Sequence, residues 1–516
     1  GRLFQLPLTW YTRHGWDFSP GYRPNNARFD RLMPDRCIAC HSSYPEAIPF
    51  LEAKYQDARP GIGCERCHGP GALHVAERRD GTTGTGAFDN SIVNPARLPL
   101  SRRLDTCEQC HVHTAVNVLR EGKNAFGYMP SQPLRDHWAF FKTSGTIDIV
   151  SHADRLRQSP CFLGSVSTSR PLECATCHNP HEPPPDSLAR NRPCTTCHLP
   201  DALARSLERS DARDDHGARA DCVGCHMPKI QEQGIPHGTF TEHWIRVVRS
   251  GDAAARLRRA IDAGQPIEPF FERDVTGPDA PIYRAMGKIV YGTLATDARV
   301  LTTAALELTQ ALGNDSARAG AHFLLGAAYE QLGRIDDAVR AHERSVRIDA
   351  NRPEALRALA YVYALTGRSA AVVDSLYRRA LTQQPALAWV RAERADFLLE
   401  HGRVTEAERE YRQAVREQPS LAVAWFNLGL LLSGAAREED AVSAYREAVR
   451  LDPHSTQALA SLFRFVAGPD SARSVAALSL PLASLPVRDR GPRAVQARVA
   501  ADARSLAFIN LPSAAI

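Results

Sequence analysis

The chain has 516 residues, of which 43% are hydrophobic and 23% are charged, and its formal net charge is +5. That length and hydrophobic content allow two to four domains with buried cores. No run of 18 apolar residues occurs, and charges of both signs are interspersed. The sequence therefore predicts neither a transmembrane segment nor a nucleic-acid partner.

The cysteines divide the chain into two compositions. All thirteen lie between Cys37 and Cys225, in a part rich in proline, glycine and short polar runs such as EPPPDS. The chain after about residue 250 has no cysteine and is rich in Ala, Leu, Arg and Glu. A segment with little regular periodicity cannot form an ordinary hydrophobic core alone. Disulfides, a metal or a large apolar cofactor could stabilise its fold in place of such a core. We therefore predict a first domain over residues 1–250 that folds around such a group.

Six copies of the pattern CxxCH identify the group. Two thiols with two residues between them can form thioethers to the two vinyl groups of one haem, and the adjacent histidine can turn its imidazole onto the iron. Zinc does not require a histidine after every second cysteine, a redox CxxC would be expected once, and disulfides across such short loops would be strained. The sequence therefore predicts six covalently attached c-type haems. The attachment cysteines are Cys37, Cys40, Cys64, Cys67, Cys107, Cys110, Cys174, Cys177, Cys194, Cys197, Cys222 and Cys225, and the proximal ligands are His41, His68, His111, His178, His198 and His226.

Nine further histidines in the first 250 residues could supply second axial ligands. Six would saturate every iron, and an iron with two histidine ligands has no open position, which suits electron transfer. His181 follows His178 by three residues, a span of at most about 10 Å, which is too short to reach the opposite face of the same ring. If His181 is a ligand, it therefore serves another haem. The same reasoning applies to His74, which follows His68 closely.

Other side chains of this part have simpler interpretations. The weakest candidates for ligation are His14, His113 and His137. Methionine can also bind haem iron, but core packing or incidental placement is the simpler interpretation of Met33, Met129 and Met227. Cys161 belongs to no CxxCH motif, and we predict that it is a buried free thiol.

Residues 251–281 contain the run GQPIEPFFERDVTGPDAP, whose prolines and glycines predict a linker or an irregular connection. Beyond it the chain repeats with a period near 34 residues. In the clearest copy, the positions that match the tetratricopeptide (TPR) consensus are Trp425, Leu428, Gly429, Leu432, Ala441, Tyr445, Ala448 and Pro453. Each copy predicts two amphipathic helices, which bury their apolar faces only when the copies stack.

The repeats predict an α-solenoid of TPR helix pairs over residues 282–466. Four clear units cover about 319–453, a degenerate helix pair covers 282–313, and a capping helix lies near 456–466. The histidines of this part are predicted to be ordinary helix residues, namely His322, His342, His401 and His454. Residues 467–516 form a C-terminal extension without an assignment. The predicted fold class is thus mostly α with much irregular structure, in which a multihaem domain folded around six haems precedes the solenoid.

Several stretches of the first domain carry a family resemblance. They are QLPLTWY, WDFSPGYRP, GIGCERCHGPGALHV, QSPCF with LECATCHNPH, and CVGCHMPK with IPHGTFTEHWI. Together with the repeats, over roughly residues 4–466, they resemble the multihaem c-type cytochromes with a cytochrome c554-like haem core followed by TPR repeats. The resemblance implies closely stacked haems and an exported protein, periplasmic or extracellular, whose signal is not in this chain. It suggests a processed or incomplete N-terminus. The histidines that it implies as distal ligands are His74, His152, His181, His216, His237 and His243.

The leading functional hypothesis is an electron carrier without catalytic residues. Its haems pass single electrons, and its TPR array docks a redox protein partner or neighbouring copies, in a redox complex or a filament. The alternative is an oxidoreductase that acts on a small nitrogen or sulfur compound at an iron with an open site. All six motifs end in histidine and histidines are plentiful, which favours the carrier. A third hypothesis, that the haems only stabilise the fold, is disfavoured because six haems exceed what stability needs.

Overall fold

The computed structural model describes residues 3–22, 31–48, 51, 53–81, 89–112, 116–143, 151–182, 189–198, 221–231, 235–247, 267–270, 275–313, 317–452 and 455–466. The described residues form two compact units. The first comprises Gly1–Glu46 and Tyr55–Gly287, and the second comprises Ala47–Lys54 and the chain from Lys288 onward. The domain boundaries drawn from the sequence stay predictions. Outside the described residues lie His113, His216, His454, most of the segment 251–281 and the extension 467–516.

Short helices dominate the described part of the first unit, and the CxxCH motifs fall on or beside six of them. A helix suits this motif because residues three apart lie on the same face, so both thiols of a motif point to the same side. The six are α1 (Asp35–His41), α2 (Glu65–His68), α4 (Leu100–His111), α7 (Cys174–Cys177), α8 (Arg192–Thr195) and α9 (Cys222–His226). The others are α3 (Ala72–Arg79), α5 (His152–Arg157) and α6 (Pro160–Ser165).

Three small antiparallel sheets complete the described part of this unit, and the sequence did not predict their strands. The first pairs β1 (Leu8–Tyr11) with β2 (Gly15–Phe18), the second joins β3 (Val116–Leu119), β4 (Trp138–Thr143) and β7 (Ile267–Pro269), and the third pairs β5 (Lys229–Gln231) with β6 (Thr239–Thr241). Strand β7 belongs to the predicted linker or irregular connection, and its Pro269 lies opposite Phe141 of β4. The three-stranded sheet buries Val116, Val118 and Phe141 completely or nearly so.

The C-terminal part is a series of TPR-like helical repeats, as predicted. The four clear units correspond to α12 (Ala319–Gln331) with α13 (Ile335–Ile348), α14 (Pro353–Leu365) with α15 (Ala370–Gln383), α16 (Ala388–Glu400) with α17 (Val404–Glu417), and α18 (Ala422–Gly434) with α19 (Glu438–Leu451). The degenerate pair is α10 (Ala280–Ala295) with α11 (Ala298–Leu312), and the capping helix is α20 (Thr456–Val466). These helices confirm the repeat prediction.

Small residues set the distance between the two helices of a repeat. A Cβ atom on Gly429 would lie 2.7 Å from ring carbons of Tyr445, which comes sixteen residues later on the paired helix. The first clear unit has Gly326 and His342 at the same spacing, and a Cβ on Gly326 would overlap the imidazole of His342. His342 is fully buried, and its Nε2 lies 2.5 Å from Oε1 of Glu330. This histidine therefore fills the place that tyrosine fills in the last clear unit.

A buried ionic network joins successive helices of the solenoid. Arg394 donates from Nε to Asp374 at 2.7 Å and from Nη1 to Glu410 at 2.8 Å, and all three side chains are less than one-tenth exposed. Asp374 also accepts from Arg403 at 2.8 Å. Burial alone would raise the pKa of Asp374, but the hydrogen bonds from the two arginines bring it below its ordinary value. Buried charges need such pairing, so the network favours one alignment of the neighbouring repeats.

The close contact at Gly429 predicts the effect of one added methyl group. We expect Gly429→Ala to lower the free energy of unfolding by about 1–3 kcal/mol because the new Cβ must displace the ring of Tyr445. Gly434→Ala is the matched control, because a Cβ atom on Gly434, at the end of the same helix, would meet no other atom within 4 Å. It should leave stability unchanged or raise it by up to about 1 kcal/mol. Urea unfolding followed by helical circular dichroism tests this, and equal midpoints for the two variants would contradict the packing argument.

Candidate functional site

The cysteines of the CxxCH motifs are partly or largely exposed residues. All thirteen cysteines lie within the described ranges, none of them is in a disulfide, and each is partly or largely exposed. Cys161 is therefore only partly buried, although the sequence predicted a buried thiol, and burial raises its pKa. Within the described ranges, no three side chains of His, Cys, Asp or Glu converge as a metal-ion site. A haem iron takes axial ligands, and the imidazoles of the CxxCH motifs are donors of that kind.

The third motif lies against the first and the fourth. The thiol of Cys107 is in hydrogen-bond contact with that of Cys174, and the thiol of Cys110 is in contact with that of Cys40. Contact with Cys174 and burial both raise the pKa of Cys107, because a second negative charge in such a place is unfavourable. Helix α4 thus brings together attachment points that are far apart along the chain.

Two motif histidines have a backbone partner that orients the ring. Nδ1 of His68 lies 2.8 Å from the carbonyl oxygen of Val93, and Nδ1 of His226 lies 3.0 Å from that of Arg246. A neutral imidazole that donates from Nδ1 to a carbonyl keeps its lone pair on Nε2. This is the tautomer and orientation that a metal-ligating histidine requires.

Three motif histidines face a second imidazole. A metal–imidazole bond is about 2 Å long, so two rings that share one iron have centroids about 6 Å apart. Among the described residues, three pairs of imidazoles lie at about this separation, and each pair combines a motif histidine with a predicted distal ligand. The centroid distances and interplanar angles are 5.9 Å and 27° for His68 with His181, 5.8 Å and 30° for His111 with His152, and 6.1 Å and 21° for His178 with His243. The residues present therefore fit haems with two axial histidines.

His181 lies beside His68 and not opposite His178 of its own motif. This is the arrangement that the three-residue span between His178 and His181 requires if His181 is a ligand. The structure shows that the rings of His181 and His68 are close together, and the ligation of an iron by His181 stays a prediction.

Two of the pairs join into a cluster of four imidazoles. The rings of His152 and His243 have centroids 4.2 Å apart, so the second and third pairs touch. Burial, together with the nearby His243, His111 and His178, lowers the pKa of His152 to about 4. Burial also lowers the pKa values of His243 and His111. The lowered pKa values favour the neutral form of His111, His152 and His243 at pH 7, and a neutral ring has a lone pair to offer to a metal.

The remaining distal candidates have other neighbours. Nδ1 of His74 lies 2.9 Å from Asp89 Oδ2. Nε2 of His237 lies 2.8 Å from Asp17 Oδ2, and its ring stacks on His14 with a centroid distance of 4.1 Å. Their ligand roles stay predictions, as does that of His216, which lies outside the described residues. Among the weaker candidates, His137 is buried and its Nε2 lies 2.8 Å from Gln132 Oε1.

Sequence reasoning missed the groups that hold these histidines in place. The backbone carbonyls of Val93 and Arg246, which contact His68 and His226, cannot be recognised in the sequence, because every residue has a carbonyl. The buried pair of Arg155 and Glu242 was also missed. These two residues are 87 positions apart, and no periodic pattern relates them.

Comparison with known proteins also points to a haem-binding protein. A family model for cytochrome c554 and c-prime matches residues 24–69, which include the first two CxxCH motifs, and a tetratricopeptide repeat model matches residues 292–353 and 393–456. The C-type polyheme cytochrome OmcB of Geobacter sulfurreducens, from strain DL-1 / KN400 and from strain ATCC 51573 / DSM 12127 / PCA, is 29% identical over 165 residues in each case. The match covers 28% of this chain and 19% of OmcB, so the chain spans about a fifth of these relatives.

Two solved structures are similar to this chain at a low level. YrrB, a TPR protein with an unusual peptide-binding site, is 19% identical with a TM-score of 0.30, and the match covers 36% of this chain and 98% of YrrB. MamA from Desulfovibrio magneticus RS-1 is 20% identical with a TM-score of 0.29, covering 34% of this chain and 97% of MamA.

The CxxCH motifs, the two family models and the OmcB relatives together support a multihaem c-type cytochrome. The chain carries TPR repeats in addition, which support a role in protein–protein interaction. No helix among the described residues combines the length and the apolar character that crossing a membrane requires.

Proposed function

We propose that this chain is an electron-transfer protein that carries six covalently attached c-type haems. The observation that carries the proposal is the set of three imidazole pairs with centroids 5.8 to 6.1 Å apart, each of which brings a CxxCH histidine close to a histidine from elsewhere in the chain. Bound haem supplies reversible one-electron exchange at its iron. The chain holds the group by two thioethers and orients it with two imidazoles.

Each iron is proposed to receive one proximal histidine from its motif and one distal histidine from another segment. His181 serves the second motif, His152 the third and His243 the fourth. His74, His216 and His237 remain candidates for the other three irons. Iron with two histidine ligands offers no position to a substrate, and this favours the carrier over an oxidoreductase that acts on a small nitrogen or sulfur compound.

The TPR array is proposed to dock a redox protein partner or a neighbouring copy of the chain, in a complex or a filament. Stacked TPR units form an extended surface, and binding protein segments is the usual role of such a surface. Because c-type haem is attached outside the cytoplasm, the proposed location is the periplasm or the outside of the cell. Electrons would enter or leave through the haem part while the solenoid holds the partner.

The haem count follows from the number of intact motifs. We expect six haems per chain in the isolated protein, and five when Cys194 and Cys197 are both replaced by alanine, because the fifth motif then loses both thioethers. Pyridine haemochrome absorbance and intact mass measure the count. Cys161→Ala is the matched control and should keep six. A wild-type count below six, or a lower count in the Cys161 variant, would contradict the proposal.

Removing His181 should open one iron. We expect His181→Ala to convert one haem in six from low-spin to high-spin and to allow it to bind CO, as seen by electron paramagnetic resonance and by visible spectroscopy. His401→Ala, in the solenoid, should leave the spectrum unchanged. Adding Cys64→Ala and Cys67→Ala to His181→Ala should remove the new signal, because the second motif then holds no haem. A signal that persists in the combined variant would assign His181 to a different iron.

The carrier and the oxidoreductase differ in the unmodified protein. A carrier with six pairs of histidine ligands should show only low-spin ferric signals, bind neither cyanide nor CO, and reduce completely in a titration with a low-potential external carrier. A stoichiometric high-spin ferric signal would favour the oxidoreductase instead. Haems that exchange no electrons with any external carrier would argue for a structural role.

A further inference from the structure

Residues 239–246, here called the strap, carry His243 and connect three parts of the first unit. The strap begins with β6, whose Thr241 pairs with Lys229 just after the sixth motif. It then passes the end of α5, the helix that begins at His152. Its contacts therefore decide how His243 lies relative to His152.

The strongest of these contacts is a buried ion pair. Arg155 donates from Nε to Oε1 of Glu242 at 2.8 Å and from Nη2 to Oε2, and the two residues are 2% and 1% exposed. Oε1 of Glu242 also accepts from the backbone N–H of Trp244 at 2.9 Å. A bidentate pair of this kind has a narrow range of geometries, and a buried pair loses much of its stability when one partner is removed.

Further contacts fasten the strap to the end of α5. The hydroxyl of Ser159 donates to the carbonyl of His243 at 3.1 Å and accepts from the N–H of Ile245 at 2.8 Å. The indole of Trp244 donates to the carbonyl of Gln158 at 3.0 Å. The backbone on both sides of the His243 ring is thus held by α5 and the residues that follow it.

Helix α5 is itself tied to the third motif. Arg157 donates from Nε to Oε1 of Glu108 at 2.8 Å, and Glu108 lies between the two cysteines of that motif. On the other side of the strap, the N–H of Glu242 donates to the carbonyl of Pro228 at 3.0 Å, and the carbonyl of Arg246 lies 3.0 Å from Nδ1 of His226. The strap therefore contacts the sixth motif directly and the third motif through α5.

We infer that Glu242 is a positioning residue, whose ion pair with Arg155 holds His152 and His243 in contact and opposite their motif histidines. The inference rests on the proposed ligation by these two histidines. His152 lies one turn before Arg155 on the same helix face, and His243 directly follows Glu242. The ion pair therefore connects the two backbone segments that carry His152 and His243. Without the Glu242 carboxylate, the strap is no longer bound to Arg155 of α5, and the rings of His152 and His243 shift from their positions.

The test uses the full-length holoprotein with Glu242→Gln. We expect the haem count to stay unchanged while about one or two haems per chain become high-spin and bind CO, because a displaced imidazole leaves its iron open. The matched control is Glu393→Gln in the solenoid. There Arg357 is buried and donates to both carboxylate oxygens of Glu393, at 2.7 and 2.5 Å. The control should lose stability without a change of spin state. A Glu242→Gln protein that stays fully low-spin, or that matches the control, would overturn the inference.

A second variant covers the case in which Glu242→Gln yields no holoprotein. Arg155→Lys keeps the positive charge but cannot form the bidentate pair with Glu242, and we expect a high-spin signal from one or two haems. A fully low-spin spectrum would overturn the inference. His152→Ala and His243→Ala separate this result from the proposed function. If each opens one iron while the Glu242 and Arg155 variants open none, ligation stands and positioning is wrong. If neither opens an iron, the ligation itself is wrong.

Discussion

The contact among four imidazoles is the constraint on which the first unit depends. His111, His152, His178 and His243 come from four separate chain segments, and their rings lie within about 6 Å of one another in successive pairs. The helices on or beside which three of them lie are too short to be stable alone, and the two-stranded sheet that precedes His243 is equally small. The segments must therefore be held by contacts with one another and, as we propose, by the haems that they enclose.

In both units, ion pairs with at least one buried partner hold segments that are distant in sequence against one another. Arg155 with Glu242 joins α5 to the strap, Arg157 with Glu108 joins α5 to α4, and Arg394 joins three helices of the solenoid. Such pairs contribute less to stability than apolar packing does, but breaking one leaves a buried charge without a partner. Their effect is to favour one arrangement of segments over others. In a redox protein, that arrangement decides which ligands reach which metal.

The two parts of the chain differ in how far their folds could be predicted. The solenoid was predicted well because its information is local, with glycine and alanine recurring where paired helices touch, as at Gly429 against Tyr445. The strands of the first unit were missed because they have three to six residues, too few for a period of two to stand out. Strand β7 also pairs with β4 from more than a hundred residues away, and short-range patterns do not record such a partner.

The sequence by itself predicted where haem attaches, because CxxCH brings two thiols and an imidazole together within five consecutive residues and needs no distant residue. It also determined the repeat, whose period is visible along the chain. Only the tertiary structure decided which distant histidine faces which motif, for instance that His181 lies beside His68. The three-residue span to His178 excluded one pairing, but the choice among the others depends on chain paths. Those paths are set by contacts such as that of Arg155 with Glu242, and long-range pairs of charged residues leave no periodic signal in a single sequence.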